Sequence, residues 1–280
     1  LIPVVQEAIL TSGISKDQLS AIAFTRGPGL MGSLLVGVSF AKAFAFALNI
    51  PLIEVNHMNA HILAHFIDDP KPSFPFICLT VSGGHTQLVL VKSHLEMEVI
   101  GETQDDAVGE AFDKTAKLLG LPYPGGPLID KYAKEGNPKA FNFPITRMPE
   151  LNYSFSGIKT AVLYFLRDQL KENPKFIEEN LADLCASIQY SLVEMLLIKL
   201  KVAVKQYGVK EIAIAGGVSA NSGLRETLTQ LAVQKGWNLY IPKFEYCTDN
   251  AAMIAMAAHY KYLKGEFSSM DVTPLAKMKI

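Results

Sequence analysis

The sequence predicts an α/β protein made of two similar domains, each a parallel sheet covered by helices, with ligands taken up where strands end and helices begin. Two observations carry this expectation. The order strand, glycine turn, helix, strand, polar residue, helix occurs twice along the chain. The composition, 280 residues with 49% hydrophobic and 19% charged positions, supplies apolar mass for one large or two modest cores.

The first copy opens with Ala21-Ile-Ala-Phe-Thr-Arg-Gly-Pro-Gly29, a short apolar run entering a glycine turn. A helix is predicted over 34–48, a strand over 51–55, then His57 and a second helix to about residue 66. The second copy opens with Ile212-Ala-Ile-Ala215 and the turn Gly216-Gly217. A helix over 222–235, a strand over 238–242, Asp249 and a helix to about residue 263 follow. Each copy reads as a βαβ-type unit. His57 and Asp249, both metal-ligating residue types, fall at matching places.

Between the copies, strands are predicted over 74–79, 86–92 and 97–103. The first two are joined by Ser82-Gly83-Gly84-His85, whose two glycines suit a hairpin turn. Helices are predicted over 107–119, 158–172 and 177–206, the first capped by Asp105-Asp106. Residues 71–75, with two prolines, read as the interdomain linker. The expected domains are therefore 1–72, completed by the C-terminal helical segment 250–280, and 73–249.

Formal net charge is −1, without the basic excess of a stand-alone nucleic-acid binder, so any RNA contact would need a local patch or a partner. The three cysteines, Cys78, Cys185 and Cys247, lack CxxC spacing and read as buried, reduced thiols. The longest apolar candidate for a membrane span, 36–50, falls short of the usual length and carries Lys42. No signal peptide is evident, and a first residue of Leu reads as a fragment or a trimmed chain.

His57-Met-Asn-Ala-His61 places two imidazoles at i and i+4, one face of a helix, where both rings can reach one metal. Two histidines with a carboxylate suit zinc or ferrous iron. On its own such a pair is more often ordinary surface or core, and His65 extends the same stripe. A zinc protease needs a glutamate after its first histidine as general base, and Met58 stands there. Three glycine-rich turns, Ser82–Gly84, Gly216–Gly217 before Asn221, and Tyr123-Pro-Gly-Gly-Pro127, let a phosphate or carboxylate approach bare amides. Asp113 and Asp130 flank the last and could accept ribose hydroxyls. No GxxxxGK[ST] or GxSxG motif is present, which removes P-loop and esterase readings.

Taken in order, His57-Met-Asn-Ala-His61, Val81-Ser-Gly-Gly-His-Thr-Gln87, Gly109-Glu-Ala-Phe-Asp-Lys-Thr-Ala-Lys117, Tyr123-Pro-Gly-Gly-Pro127, Phe155-Ser-Gly-Ile-Lys-Thr160, Ala215-Gly-Gly-Val-Ser-Ala-Asn221 and Cys247-Thr-Asp-Asn250 resemble the bacterial tRNA N6-adenosine threonylcarbamoyltransferase family, once labelled a glycoprotease. The likeness covers essentially the whole chain. It implies an actin, Hsp70 and sugar-kinase-like fold with an interdomain cleft. It implies transfer of threonylcarbamoyl from threonylcarbamoyl-AMP to N6 of adenosine 37 in tRNAs reading ANN codons. It places a divalent metal, ferrous iron first and zinc second, on His57, His61 and Asp249. Donor-binding positions fall on Thr80, Val81, Ser82, Gly83, Gly84, Asp113, Gly126, Asp130 and Asn221; no general base is implied.

The implied partners are tRNA, a catalytically silent paralogue of the same fold and a small P-loop ATPase, with no membrane. The implied compartment is the bacterial cytoplasm, ahead of a mitochondrial homologue. Two departures stand out. The family's Glu-Gly within the histidine motif is Asn59-Ala60 here, and its opening Ile-Glu-Thr-Ser-Cys strand has no counterpart. The rivals are an ATP-dependent small-molecule kinase of the same superfamily and a non-catalytic scaffold, with a metalloprotease last. A kinase has no use for the histidine pair, and a scaffold does not need the three ligands.

Overall fold

A computed structural model describes all 280 residues. In chain order the elements are α1 (Ile2–Ser12), β1 (Ile22–Gly27), α2 (Met31–Leu48), β2 (Leu52–Asn56), α3 (His57–Leu63), β3 (Phe76–Val81), β4 (Thr86–Ser93), β5 (Glu96–Glu102), α4 (Val108–Leu118), α5 (Gly126–Ala133), α6 (Ser156–Glu172), α7 (Phe176–Glu179), α8 (Leu181–Tyr207), β6 (Glu211–Ala215), α9 (Ser222–Lys235), β7 (Asn238–Tyr240), α10 (Phe244–Cys247) and α11 (Ala251–Leu263). The chain divides into two compact units, Leu1–Ile67 with Asn250–Ile280, and Asp68–Asp249. Their boundary falls before the proline-rich stretch 71–75, because Asp68 already pairs with Lys243 of the second unit at 2.6 Å.

In the first unit β1 and β2 lie parallel, Ile22 opposite Leu52 and Thr25 opposite Val55, with α2 as the crossover. The stripe Leu34, Val38, Ala41 and Ala45 of α2 is buried, and Asn49 ends the helix in the left-handed region. The C-terminal segment completes this unit. Arg26 Nε donates to the Thr273 carbonyl at 3.0 Å, and Asn56 Nδ2 to that of Lys279 at 2.9 Å. A side chain at Gly27 would collide with the Leu275 carbonyl, so only glycine admits this segment against β1.

The second unit holds a five-stranded mixed sheet in the order β5-β4-β3-β6-β7. β3, at its centre, is buried along its whole length and reads as a nearly continuous apolar run, Phe-Ile-Cys-Leu-Thr-Val, with Thr80 its one polar side chain. β5, at the edge, carries Glu96, Glu98 and Glu102, charges that discourage further pairing. One core spans the sheet and its helices, with Ile77, Leu88, Phe112, Ile129, Phe155, Leu184, Leu192 and Leu196 all at or near zero exposure. Each such side chain contributes about 1.5–3 kcal/mol by leaving water.

Several expectations from the sequence change. The helix predicted over 34–48 starts at Met31, which makes α2 an 18-residue apolar helix; by length and composition it and α8 could cross a membrane. The expectation that no run reaches span length therefore fails for these two. Most of α8 is buried as the core helix of its unit, and α2 packs one stripe on β1. Asp105 and Asp106 do not cap α4. Its N-cap is Ala107, two residues beyond Asp105, and the Val108 N–H donates instead to Thr86 Oγ1 at 2.9 Å. Asp105 braces the start of α6, accepting from Phe155 N, Ser154 Oγ and Ser156 Oγ at 2.8, 2.6 and 2.7 Å, while Asp106 pairs with Lys114 at 2.7 Å. The single helix predicted over 177–206 is split at Asn180, whose side chain donates to the Phe176 carbonyl and whose φ of −121° leaves the helical region. Helices α1 and α5 were not expected.

Candidate metal centre and glycine turns

Three helices that bear on the site begin with an asparagine cap. Asn56 Oδ1 accepts from Met58 N at 2.8 Å, Asn221 Oδ1 from Leu224 N at 2.9 Å, and Asn250 Oδ1 from Met253 N at 2.8 Å. The first cap starts α3 at His57, so His57 and His61 share one helix face. Their rings meet edge to face, centroids 4.8 Å apart. The third cap follows Asp249 directly, so Asp249 leads into α11, which packs on α3. Ligand atoms of His57, His61 and Asp249 all lie within 4.8 Å of one another. His61 is buried, His57 half-buried and Asp249 exposed.

Two imidazoles and a carboxylate at this spacing form a donor set that fits zinc or ferrous iron with positions left for substrate. Asn59, where the resemblance expects a glutamate, lies two positions from each histidine and therefore projects from another face. Its amide oxygen is buried without a hydrogen bond. His65 is buried in the short turn after α3 and is not one of the three clustered ligands.

The glycine turns emerge side by side in the second unit. β3 and β6 run parallel with Thr80 opposite Ala215, so the turns that follow them leave the same sheet edge. That edge is where open α/β sheets take their ligands. Gly216 has φ 87°, and a side chain there would strike the Val81 carbonyl. Gly109, in the first turn of α4, would likewise strike the Ser82 carbonyl and the Gly83 backbone. These glycines pack strand ends, hairpin and helix start to backbone contact.

Of the predicted donor-binding positions, Ser82 is half-buried while Gly83 and Gly84 are exposed. Thr80 and Val81 have no exposed surface, so their side chains lie in the sheet core. Asp113 Oδ1 accepts from Gly125 N and Gly126 N at 2.8 and 3.2 Å and thereby shapes the 123–127 loop. Asp130 accepts from Ser222 N, Ser222 Oγ and Gly223 N at the start of α9. The Asn221 side chain is shared between the α9 cap and Gln189, to whose Oε1 it donates at 2.6 Å. These polar residues act first as the frame of the turns. Sequence reasoning passed over two parts of that frame, Gln189 and Arg225. Arg225 lies one turn past Asn221 and is recognisable only by that spacing.

All three cysteines are buried and outside any disulfide, as their spacing suggested. Burial pushes the Cys78 and Cys185 thiols up to about 12, so neither is nucleophilic near neutrality.

The sequence matches the family described as tRNA N6-adenosine threonylcarbamoyltransferase over residues 1–256. Relatives of that name include the protein of Cytophaga hutchinsonii, 64% identical over 280 residues, covering 100% of this chain and 82% of the relative. That of Christiangramia forsetii is 61% identical over 282 residues, covering 100% and 83%. That of Clostridium botulinum is 50% identical over 281 residues, covering 99% and 81%. Among solved structures, T. kodakarensis HypF superposes with a TM-score of 0.66 at 15% identity, covering 97% of this chain and 44% of HypF. A full-length HypF in the phosphate- and nucleotide-bound form gives 0.67 at 13% identity, covering 95% and 50%. At such identities the structures share the fold alone. The family match and the relatives span the histidine pair, the glycine turns and the aspartate in one alignment, and on that ground the chain belongs to the tRNA N6-adenosine threonylcarbamoyltransferase family.

Proposed function

We propose that this chain transfers the threonylcarbamoyl group from threonylcarbamoyl-AMP to N6 of adenosine 37 in tRNAs reading ANN codons. The observation that carries the reading is the grouping of His57, His61 and Asp249, embedded in a chain of this family. Those three residues would hold one divalent metal, ferrous iron in first place and zinc in second. When bound, such a metal supplies Lewis acidity and a template for the oxygens of the donor.

The chain's own residues do the rest. Amides of the Gly83-Gly84 hairpin and of the Gly216-Gly217 turn present donors to the adenylate, with the α9 N-terminus behind the second turn. Asp113 and Gly126 shape the 123–127 loop, Asp130 and Asn221 hold the start of α9 after the second turn, and Ser82 lies half-buried beside the hairpin glycines. N6 of the adenosine attacks the carbamoyl carbon, the carbon–oxygen bond to the phosphate breaks, AMP leaves with that electron pair, and the N6 proton passes to water. Positioning and charge stabilisation supply most of the acceleration. The same family reading makes a silent paralogue and a P-loop ATPase the working partners and the bacterial cytoplasm the compartment.

The test is elemental analysis of the purified chain beside His61→Ala, followed by a tRNA transfer assay. About one iron or zinc per chain, lost in the variant together with transfer, is the expected result, since three protein ligands define such a site. Wild-type turnover in His57→Ala or Asp249→Ala would overturn the ligand assignment. A chain with neither metal nor transfer would favour the non-catalytic scaffold.

A further inference from the structure

The segment that delivers Asp249, residues 242–248, is tied to the glycine turn by one side chain. Arg225 Nε donates to the Ser219 carbonyl at 2.6 Å. Its Nη2 donates to the Pro242 carbonyl at 2.8 Å and lies 3.1 Å from Cys247 Sγ. The guanidinium carbon sits 4.0 Å from the centroid of the Phe244 ring, which is otherwise two-thirds exposed. Ser219 belongs to the tight turn Gly217–Ala220, directly after the Gly216 that abuts β3. One half-buried planar cation therefore clamps the start, the middle and the end of the 242–247 segment onto the turn that follows β6. Lysine cannot reproduce this, because a single ammonium does not span three divergent acceptors and stacks poorly on a ring.

We infer that Arg225 is a positioning residue, fixing the approach of Asp249 against the glycine turn at residues 216–221. The inference rests on the reading of Asp249 as a metal ligand. Its cause is mechanical: Cys247 and Asp249 are two residues apart, so freedom at 242–247 becomes freedom at the carboxylate. A purely structural arginine would change stability without touching the ligand in particular.

The experiment uses the full chain as Arg225→Ala and Arg225→Lys. Leu228→Ala, which empties a buried site in the same helix, serves as control. Hydrogen exchange is followed first without metal, at the Tyr246 amide, which donates to the Lys243 carbonyl at 2.9 Å. Zinc alone is then titrated. Arg225→Ala should speed Tyr246 exchange at least tenfold and weaken zinc retention by about 10–100-fold, the usual effect of losing a residue that orients a ligand. Arg225→Lys should stay near Arg225→Ala in both. Leu228→Ala should lower the melting temperature yet hold zinc like the wild type. Wild-type exchange at Tyr246 in Arg225→Ala would overturn the inference; if that variant does not fold, wild-type exchange and zinc affinity in Arg225→Lys would do so. A wild-type chain that retains no zinc would refute the ligand reading itself, and the exchange rates would still decide the role of Arg225.

Discussion

Single residues at the turns carry consequences that a stability measurement can read. Gly125 packs so closely on α4 that a side chain there would collide with the Ala116 β-carbon. Gly125→Ala should cost about 1–3 kcal/mol through overpacking, seen as a lower urea midpoint, and should weaken the grip of Asp113 on the loop. Asp105 offers a pH test. Burial raises its pKa, but hydrogen bonds from Ser154, Ser156 and the Phe155 amide outweigh that and hold the carboxyl below its ordinary 3.8. A depressed folded pKa means that the stabilisation is present above the unfolded value and lost as pH falls through the folded one. Asp105→Asn should therefore be less stable than wild type near pH 7, by about 1 kcal/mol for a solvent-screened carboxylate. The gap should close below pH 4. A gap that persists at low pH would mean that the carboxylate charge is not what holds α6.

At the scale of elements, α4 depends on a cap borrowed from a neighbouring strand. Thr86 is fully buried and its hydroxyl accepts the Val108 N–H. Thr86→Val keeps the shape but strands that amide, so equilibrium unfolding should show a loss of about 1–3 kcal/mol. Nothing in the residues near Val108 announces such a cap, and for that reason the sequence pointed wrongly to the adjacent Asp105-Asp106. The local caps, Asn56, Asn221 and Asn250, each stand directly before their helices, and the sequence reading did not name them as caps. The histidine pair was legible from its spacing, and Asp249 only from the repeated element order. The inward duties of Asp130 and Asn221 were not legible, because Ser222 N and Gln189 reach them through tertiary packing. Thr80 and Val81 lie past the strand expected over 74–79 and are core, since β3 runs on to Val81 at the centre of its sheet.

For the molecule as a whole, the two units are unequal in their cores. The first buries Phe24, Val38, Ala41, Ala45 and Leu52 together, and also Ile53, Val55, Ile62, Leu63 and Met253, while the second has the larger, extended core around α8. The single tryptophan, Trp237, packs against the second core. Urea should therefore reduce far-UV circular dichroism, which reports both units, before it shifts tryptophan fluorescence, which reports the second. Coincident transitions would show the units unfolding as one. The pairing of β3 with β6 also has a temporal side. At ordinary rates of translation, on the order of ten seconds separate the synthesis of Val81 from that of Ala215. For that interval a largely apolar strand, Phe76–Val81, waits on the ribosome with one edge unpaired, an invitation to aggregation until its partner arrives. The glycine turns thus come together late in the life of the nascent chain, and Asp249 later still, so a ribosome that stalls early leaves histidines without their carboxylate.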